Sequence, residues 1–181
     1  MPPTESLLPG VERILISERV LRHKVSELAR QISTDYQGKR PLLVGLLKGS
    51  FMFLADLARE LTLDSEVDFL LVSSYGNGQE ATEVKILQDL TSSIQGQDVL
   101  IIEDIIDTGF TLQKICGLLA ERQPASLKIC TLLNKPSRRQ VALTVDYCGF
   151  DIEDVFVAGY GIDFAQRFRC LPYLVVAKKP G

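Results

Sequence analysis

Residues Val99–Thr111 read VLIIEDIIDTGFT. The run VLII has no polar interruption, as expected of a parallel strand covered on both faces. Glu103 and Asp104 follow at once, Asp107 stands three positions further on, and Thr108-Gly109-Phe110-Thr111 leads away. Leu112, Ile115, Cys116 and Leu119 then recur at helical spacing, with Pro124 beyond the end of that helix. The stretch is therefore a strand-to-helix junction with three acids placed in it.

The same grammar extends in both directions. PLLVGLL is a short apolar run from Pro41, broken by Lys48-Gly49-Ser50 and followed by Leu54, Leu57, Ala58 and Leu61 on one helical face. Leu21, Val25, Leu28 and Ile32 follow Ser17, a candidate N-cap, and predict an amphipathic helix over 17–35 that stops before Gly38. VDFLLVSS, TEVKILQ, SLKICTLL, VDYCGF, VFVAGY and LPYLVVA read as further strands. Strands alternating with helices predict an α/β fold with a mainly parallel central sheet. In such sheets ligands bind outside the carboxyl ends of the strands, which directs attention to the loops that follow them.

The 181 residues are expected to form one domain over 1–181, with 46% hydrophobic residues to supply its core. Twenty basic against 23 acidic residues give a net charge of −3, which argues against overall attraction to nucleic acid or anionic membranes. Cys116, Cys130, Cys148 and Cys170 are widely spaced and there is one histidine, so zinc and redox motifs are unsupported and free thiols are expected. His23 lies off the apolar stripe of its helix and receives no role. MPPTESLLPG lacks the pattern of a signal peptide, and no apolar stretch is long enough to span a bilayer, so a cytoplasmic protein is expected.

Adjacent carboxylates at the end of a buried strand need cations, water or hydroxyl donors, and a sugar diol would meet that need. Beyond them, unpaired N–H groups at the start of the helix favour an anion, Gly109 permits close approach, and Thr108 and Thr111 add hydroxyls. Helix capping alone would account for only one of the acids.

EDIIDTG within this stretch resembles the phosphoribosyl-pyrophosphate motif of phosphoribosyltransferases, in the form found in hypoxanthine-guanine phosphoribosyltransferases. The resemblance implies a type I phosphoribosyltransferase fold, with helices flanking the sheet and a small hood. It implies Glu103 and Asp104 at the ribose hydroxyls, Thr108, Gly109 and Thr111 around the 5-phosphate, and Asp107 as the catalytic acid-base group near purine N7. Phe110 stands where relatives vary.

The remaining loops fit the same resemblance. Lys48-Gly49-Ser50 has lysine before glycine, the wrong order for a nucleotide P-loop, and resembles the family's pyrophosphate loop, in which the peptide before glycine can be strained. Gly76-x-Gly78-x-x-Ala81 nearly matches a dinucleotide fingerprint, but TEVKILQ is a poor phosphate-capping helix. Ser74-Tyr75-Gly76 instead resembles the family's lid, which would keep water from an activated sugar. The resemblance places Lys135 against the 6-oxo group of the purine, and since a lysine donates and cannot accept, it would favour a 6-oxo base over the 6-amino group of adenine. Arg138 and Arg139 follow it without an assigned role.

In VFVAGYGIDFAQRFRCLP the resemblance places Phe156 on the base, Val157 at its edge through the backbone, Asp163 near Mg2+ and Arg169 near pyrophosphate. Cys170 and Phe164 depart from the asparagine and tyrosine common in relatives. The implied reaction joins hypoxanthine, and guanine, to the phosphoribosyl group, with Mg2+ at Glu103, Asp104 and Asp163. Homodimers or homotetramers are implied, with no nucleic-acid or membrane partner. The competing class is a non-catalytic regulator that senses nucleotides or phosphoribosyl pyrophosphate. It would need a nucleic-acid-binding extension or basic face, which a mildly acidic chain with no added domain does not offer.

Overall fold

The computed structural model describes residues 8–75 and 83–178. Nine strands and three α-helices follow in the order β1 (Val11–Ile16), α1 (Glu18–Asp35), β2 (Leu42–Leu47), α2 (Phe51–Glu60), β3 (Glu66–Tyr75), β4 (Glu83–Gln88), β5 (Asp98–Ile106), α3 (Phe110–Ala120), β6 (Ser126–Asn134), β7 (Tyr147–Asp151), β8 (Val157–Ala158) and β9 (Leu174–Ala177). A one-turn 3-10 helix, Pro136–Arg138, follows β6. The large sheet runs β4-β3-β2-β5-β6-β7, parallel throughout except for antiparallel β4 at one edge. The expected α/β architecture is thus present. Beside it lies an antiparallel sheet, β1-β9-β8.

The apolar run opening β5 explains the layering. Val99, Leu100, Ile101 and Ile102 are all fully buried, and their side chains alternate between two cores. Leu100 and Ile102 join Leu21, Val25 and Ile32 of α1 and Phe53 and Leu57 of α2. Val99 and Ile101 join Leu112, Ile115 and Leu119 of α3 on the opposite face. Period-two alternation in the strand thereby meets helical periodicity on both sides, and each buried aliphatic side chain contributes about 1.5–3 kcal/mol.

The strand order also locates a crevice. The chain leaves β2 toward β3 on one side and leaves β5 toward β6 on the other, so the loops after β2 and β5 diverge from adjacent strands. The small sheet and its connections lie over this edge: a Cβ at Gly161, whose φ is +99°, would collide with the carbonyl of Gly49.

Several expected details change. β5 does not stop at the acids but continues through them to Ile106, because Glu103 keeps its ladder position against Thr131 and Ile106 against Asn134. VFVAGY forms only the two-residue strand β8, since Gly159 and Gly161 take positive φ and turn the chain. β1 lies in a stretch that carries no strand expectation. Ser17 stands at the N-cap of α1 as expected, but its side chain makes no capping hydrogen bond.

Candidate active site

Two loops converge at the crevice. After β2, the Leu47–Lys48 peptide is cis, one bond earlier than the peptide before Gly49 singled out by resemblance. Lys48 is exposed, while Ser50 is buried with its hydroxyl donating to the Leu46 carbonyl at 2.7 Å. Gly49 lets Asp104 approach the backbone closely: a Cβ there would collide with the Asp104 carboxylate and push it aside. The two loops therefore touch through a carboxylate resting on bare backbone.

After β5, α3 begins at Gly109, which has φ of +88° and serves as the N-cap. The helix has no side-chain cap and no acid in its first turn. Asp107 and Thr108 thus leave the first N–H groups of α3 available, and Thr111 lies in that first turn. A Cβ at Gly109 would press on Val141 and on Arg139 Cδ, so the guanidinium of Arg139 lies behind the loop and adds positive charge. The Thr108 carbonyl accepts from Gln140 N–H at 3.0 Å, which ties the loop to the segment after β6.

Glu103 and Asp104 have different surroundings. Burial, followed by a side-chain hydrogen bond and charge repulsion from Asp104, raises the Glu103 pKa well above 4.5, and the Asp104 N–H donates to Glu103 Oε1 at 3.1 Å. Asp104 lines a cavity of about 480 Å³ together with Lys48, Gly49, Asp163 and Arg169. Arg169 donates to Asp163 and to the carbonyl of Gly161, and the Asp163 carboxylate also accepts from Gln166 N–H at 2.9 Å.

Among the described residues, no three acids, histidines or cysteines are gathered closely enough to hold a metal ion by themselves. The donor chemistry still suits magnesium. Carboxylate oxygens of Asp104 and Asp163 face one cavity, Glu103 is adjacent in sequence, and this ion takes oxygen ligands while keeping several from water or substrate.

A second cavity, of about 730 Å³, is lined by Asp107, Lys135, Arg138, Asp154, Phe156, Val157 and Asp163 among others. The Lys135 side chain is only 8% exposed and faces Asp154 at 3.4 Å and Asp107 at 3.9 Å. Phe156 is 49% exposed and packs edge-on against Phe164, with ring centroids 5.7 Å apart. Its carbonyl accepts from Ala177 N–H at 2.7 Å, while Val157 pairs with Val176 in the small sheet. This cavity offers an aromatic face, a buried cation and carboxylates, and Asp163 also lines the neighbouring cavity of Lys48 and Arg169.

The structure thus brings together Lys48, Gly49, Asp104, Asp163 and Arg169 in one cavity, and Asp107, Lys135, Phe156 and Val157 in the next. Thr108, Gly109 and Thr111 form the helix-entry loop following Asp107. Ser74 and Tyr75 end β3, while Gly76 and the rest of the proposed lid lie outside the described residues, as does Gly76-x-Gly78-x-x-Ala81. Arg138 and Asp154 were not expected at the site. Asp154 stands two positions before Phe156, and Arg138 one 3-10 turn after Lys135, spacings that single them out only once the loops are seen to meet.

The crevice at a sheet switch point, with its uncapped helix entry and paired acids, places the protein among α/β proteins whose ligands bind beyond the carboxyl ends of the strands. More particularly, residues 11–165 match the phosphoribosyl transferase domain family, and the chain belongs to that family. It is 55% identical over 164 residues to the hypoxanthine phosphoribosyltransferase of Escherichia coli (strain K12), covering 89% of this chain and 92% of that protein. The hypoxanthine phosphoribosyltransferase of Haemophilus influenzae is 52% identical over 165 residues, covering 89% and 92%. A crystal structure of a hypoxanthine-guanine phosphoribosyltransferase from Bacillus anthracis superimposes with a TM-score of 0.90 at 46% identity, covering 93% of this chain and 99% of that one. The chain is accordingly an enzyme of the phosphoribosyltransferase class.

Proposed function

We propose that the protein salvages purines by joining hypoxanthine, and guanine, to the phosphoribosyl group of phosphoribosyl pyrophosphate, releasing pyrophosphate and IMP or GMP. The observation that carries this reading is the buried Lys135 in the cavity shared with Asp107 and Phe156. A lysine favours a 6-oxo acceptor over the 6-amino donor of adenine. The similarity to hypoxanthine phosphoribosyltransferases supports the same choice.

As the bond from C1 to pyrophosphate lengthens, the sugar gains oxocarbenium character and the leaving group gains charge. Lys48 and Arg169 stabilise the departing pyrophosphate from the cavity they line. Glu103 and Asp104 hold the ribose hydroxyls, while Thr108, Gly109, Thr111 and the start of α3 hold the 5-phosphate. Phe156 stacks on the base, the Val157 backbone contacts its edge, and Asp107 takes or holds the proton at N7 while N9 attacks. Ser74 and Tyr75 begin the lid. Glu103, Asp104 and Asp163 would hold Mg2+ through their carboxylate oxygens, and the ion would supply positive charge to offset that of the leaving group. The protein acts in the cytoplasm, as a homodimer or homotetramer and without nucleic-acid or membrane partners. No helix among the described residues is long and apolar enough to cross a membrane.

Nucleotide formation from phosphoribosyl pyrophosphate tests this with hypoxanthine, guanine, xanthine and adenine, each with Mg2+ or with a chelator. Product from hypoxanthine and guanine but not adenine, lost on chelation, is expected. Product from adenine at an equal rate contradicts the role of Lys135. Binding of phosphoribosyl pyrophosphate with no product from any base favours the regulator.

A further inference from the structure

We propose that Arg138 is a positioning residue for Asp107, and that Asp154 anchors both Arg138 and Lys135 so that one Asp107 oxygen is kept for the purine. This rests on the purine-salvage reading above. Four charges alternate around the base cavity. Arg138 Nε donates to Asp107 Oδ1 at 3.0 Å and lies 3.8 Å from Asp154 Oδ2. Lys135 Nζ lies 3.4 Å from Asp154 Oδ1 and 3.9 Å from Asp107 Oδ2.

The division of labour follows from the donors. The Lys135 ammonium is almost enclosed, so it needs an acceptor before any base arrives, and Asp154 is the nearer one. Arg138 Nε carries a single proton, and that proton goes to Asp107 rather than to Asp154. A planar guanidinium with donors in fixed directions sets the rotation of the carboxylate it meets, which a flexible ammonium would not do. With Oδ1 engaged, Oδ2 is the oxygen left on the Lys135 side of the cavity. An acid-base group must hold one oxygen within hydrogen-bond reach of the atom it serves, and misplacement by about 1 Å can cost roughly a hundredfold in rate. Arg138 thus acts on the reaction through Asp107 and lies away from the cavity lined by Lys48 and Arg169.

The test is a double-mutant cycle on the full chain, comparing unaltered protein with Arg138→Met, Asp107→Ala and the double variant. Single-turnover conversion of radiolabelled hypoxanthine, with enzyme in excess, keeps slow variants measurable. Arg138→Met should lower the rate about tenfold, with KM for phosphoribosyl pyrophosphate within about twofold of the unaltered value. In the Asp107→Ala background the same change should cost less than about twofold, because the group it positions is gone. An equal loss in both backgrounds, an unchanged rate in Arg138→Met, or a loss confined to KM for phosphoribosyl pyrophosphate overturns the proposal. Failure of the unaltered protein to convert hypoxanthine would instead remove the reading on which it rests.

Discussion

The amino and carboxyl edges of the central sheet treat their carboxylates in opposite ways. At the amino edge, Asp68 is nearly buried and accepts from Phe69 N–H at 2.8 Å, Thr91 N–H at 2.7 Å and the Thr91 hydroxyl at 2.9 Å. Burial alone would raise its pKa, but these three donors outweigh burial and hold it below 3.8. Asp98 is likewise held low, chiefly by the Ser126 hydroxyl and, against the opposing effect of burial, by Lys39. At the carboxyl edge, Glu103 has the Asp104 N–H but also the Asp104 carboxylate beside it, and burial drives its pKa upward. The protein supplies donors to the first set itself, whereas Glu103 is set against a second carboxylate. Acids of one chemical type thus secure connections at one edge, while at the other they stand where the proposed function places the ligand.

That contrast can be broken at either edge. The largest effect on stability is expected from Ile102→Ala, which empties a fully buried position just before Glu103 and should cost about 2–5 kcal/mol. Denaturant unfolding would measure the cost, and kcat per folded molecule should remain near that of the unaltered protein. At the carboxyl edge, Gly49→Ala places a methyl group against the Asp104 carboxylate. Displacing that acid should lower kcat/KM for phosphoribosyl pyrophosphate by roughly a hundredfold, with a smaller change in thermal midpoint, as steady-state kinetics and calorimetry would read.

The smallest effect belongs to the amino edge and depends on pH. Asp68→Ala leaves the Phe69 and Thr91 donors without their acceptor and should cost about 1–3 kcal/mol at neutral pH. Because the folded pKa of Asp68 lies below its ordinary value of 3.8, the stability it contributes is present above that value and is lost as pH falls through the folded pKa. Unfolding curves of the two proteins should therefore converge in acid. A difference that persists unchanged at low pH would show that Asp68 acts through packing and not through its charge.

The sequence reveals the carboxyl edge more readily than the amino edge, for a physical reason. The loops at the carboxyl edge carry local features: Gly109 at a helix entry, lysine beside glycine after β2, and acids directly after a buried run. Such signals lie within a few residues of each other. The three donors of Asp68, by contrast, combine its neighbour Phe69 with Thr91, 23 positions away. Arg138 and Asp154 escape notice for the same reason, since their shared contacts appear only when the segment after β6 meets the approach to β8. β1 is obscure because VERILI interleaves charged and apolar residues without clean alternation, and its register against β9 shifts twice. The continuation of β5 past Asp104 is hidden because an apolar run that ends in acids looks complete, whereas backbone pairing with β6 carries the strand to Ile106.

The most direct test of the central claim, that the carboxyl edge carries the chemistry without carrying the stability, is hypoxanthine-dependent nucleotide formation by Asp107→Asn beside unaltered protein of matched melting behaviour. A loss in kcat of about 10²–10⁴, with thermal midpoints within a few degrees, is the predicted result. Equal turnover by the two proteins, or a collapse of the midpoint alongside activity, would contradict it.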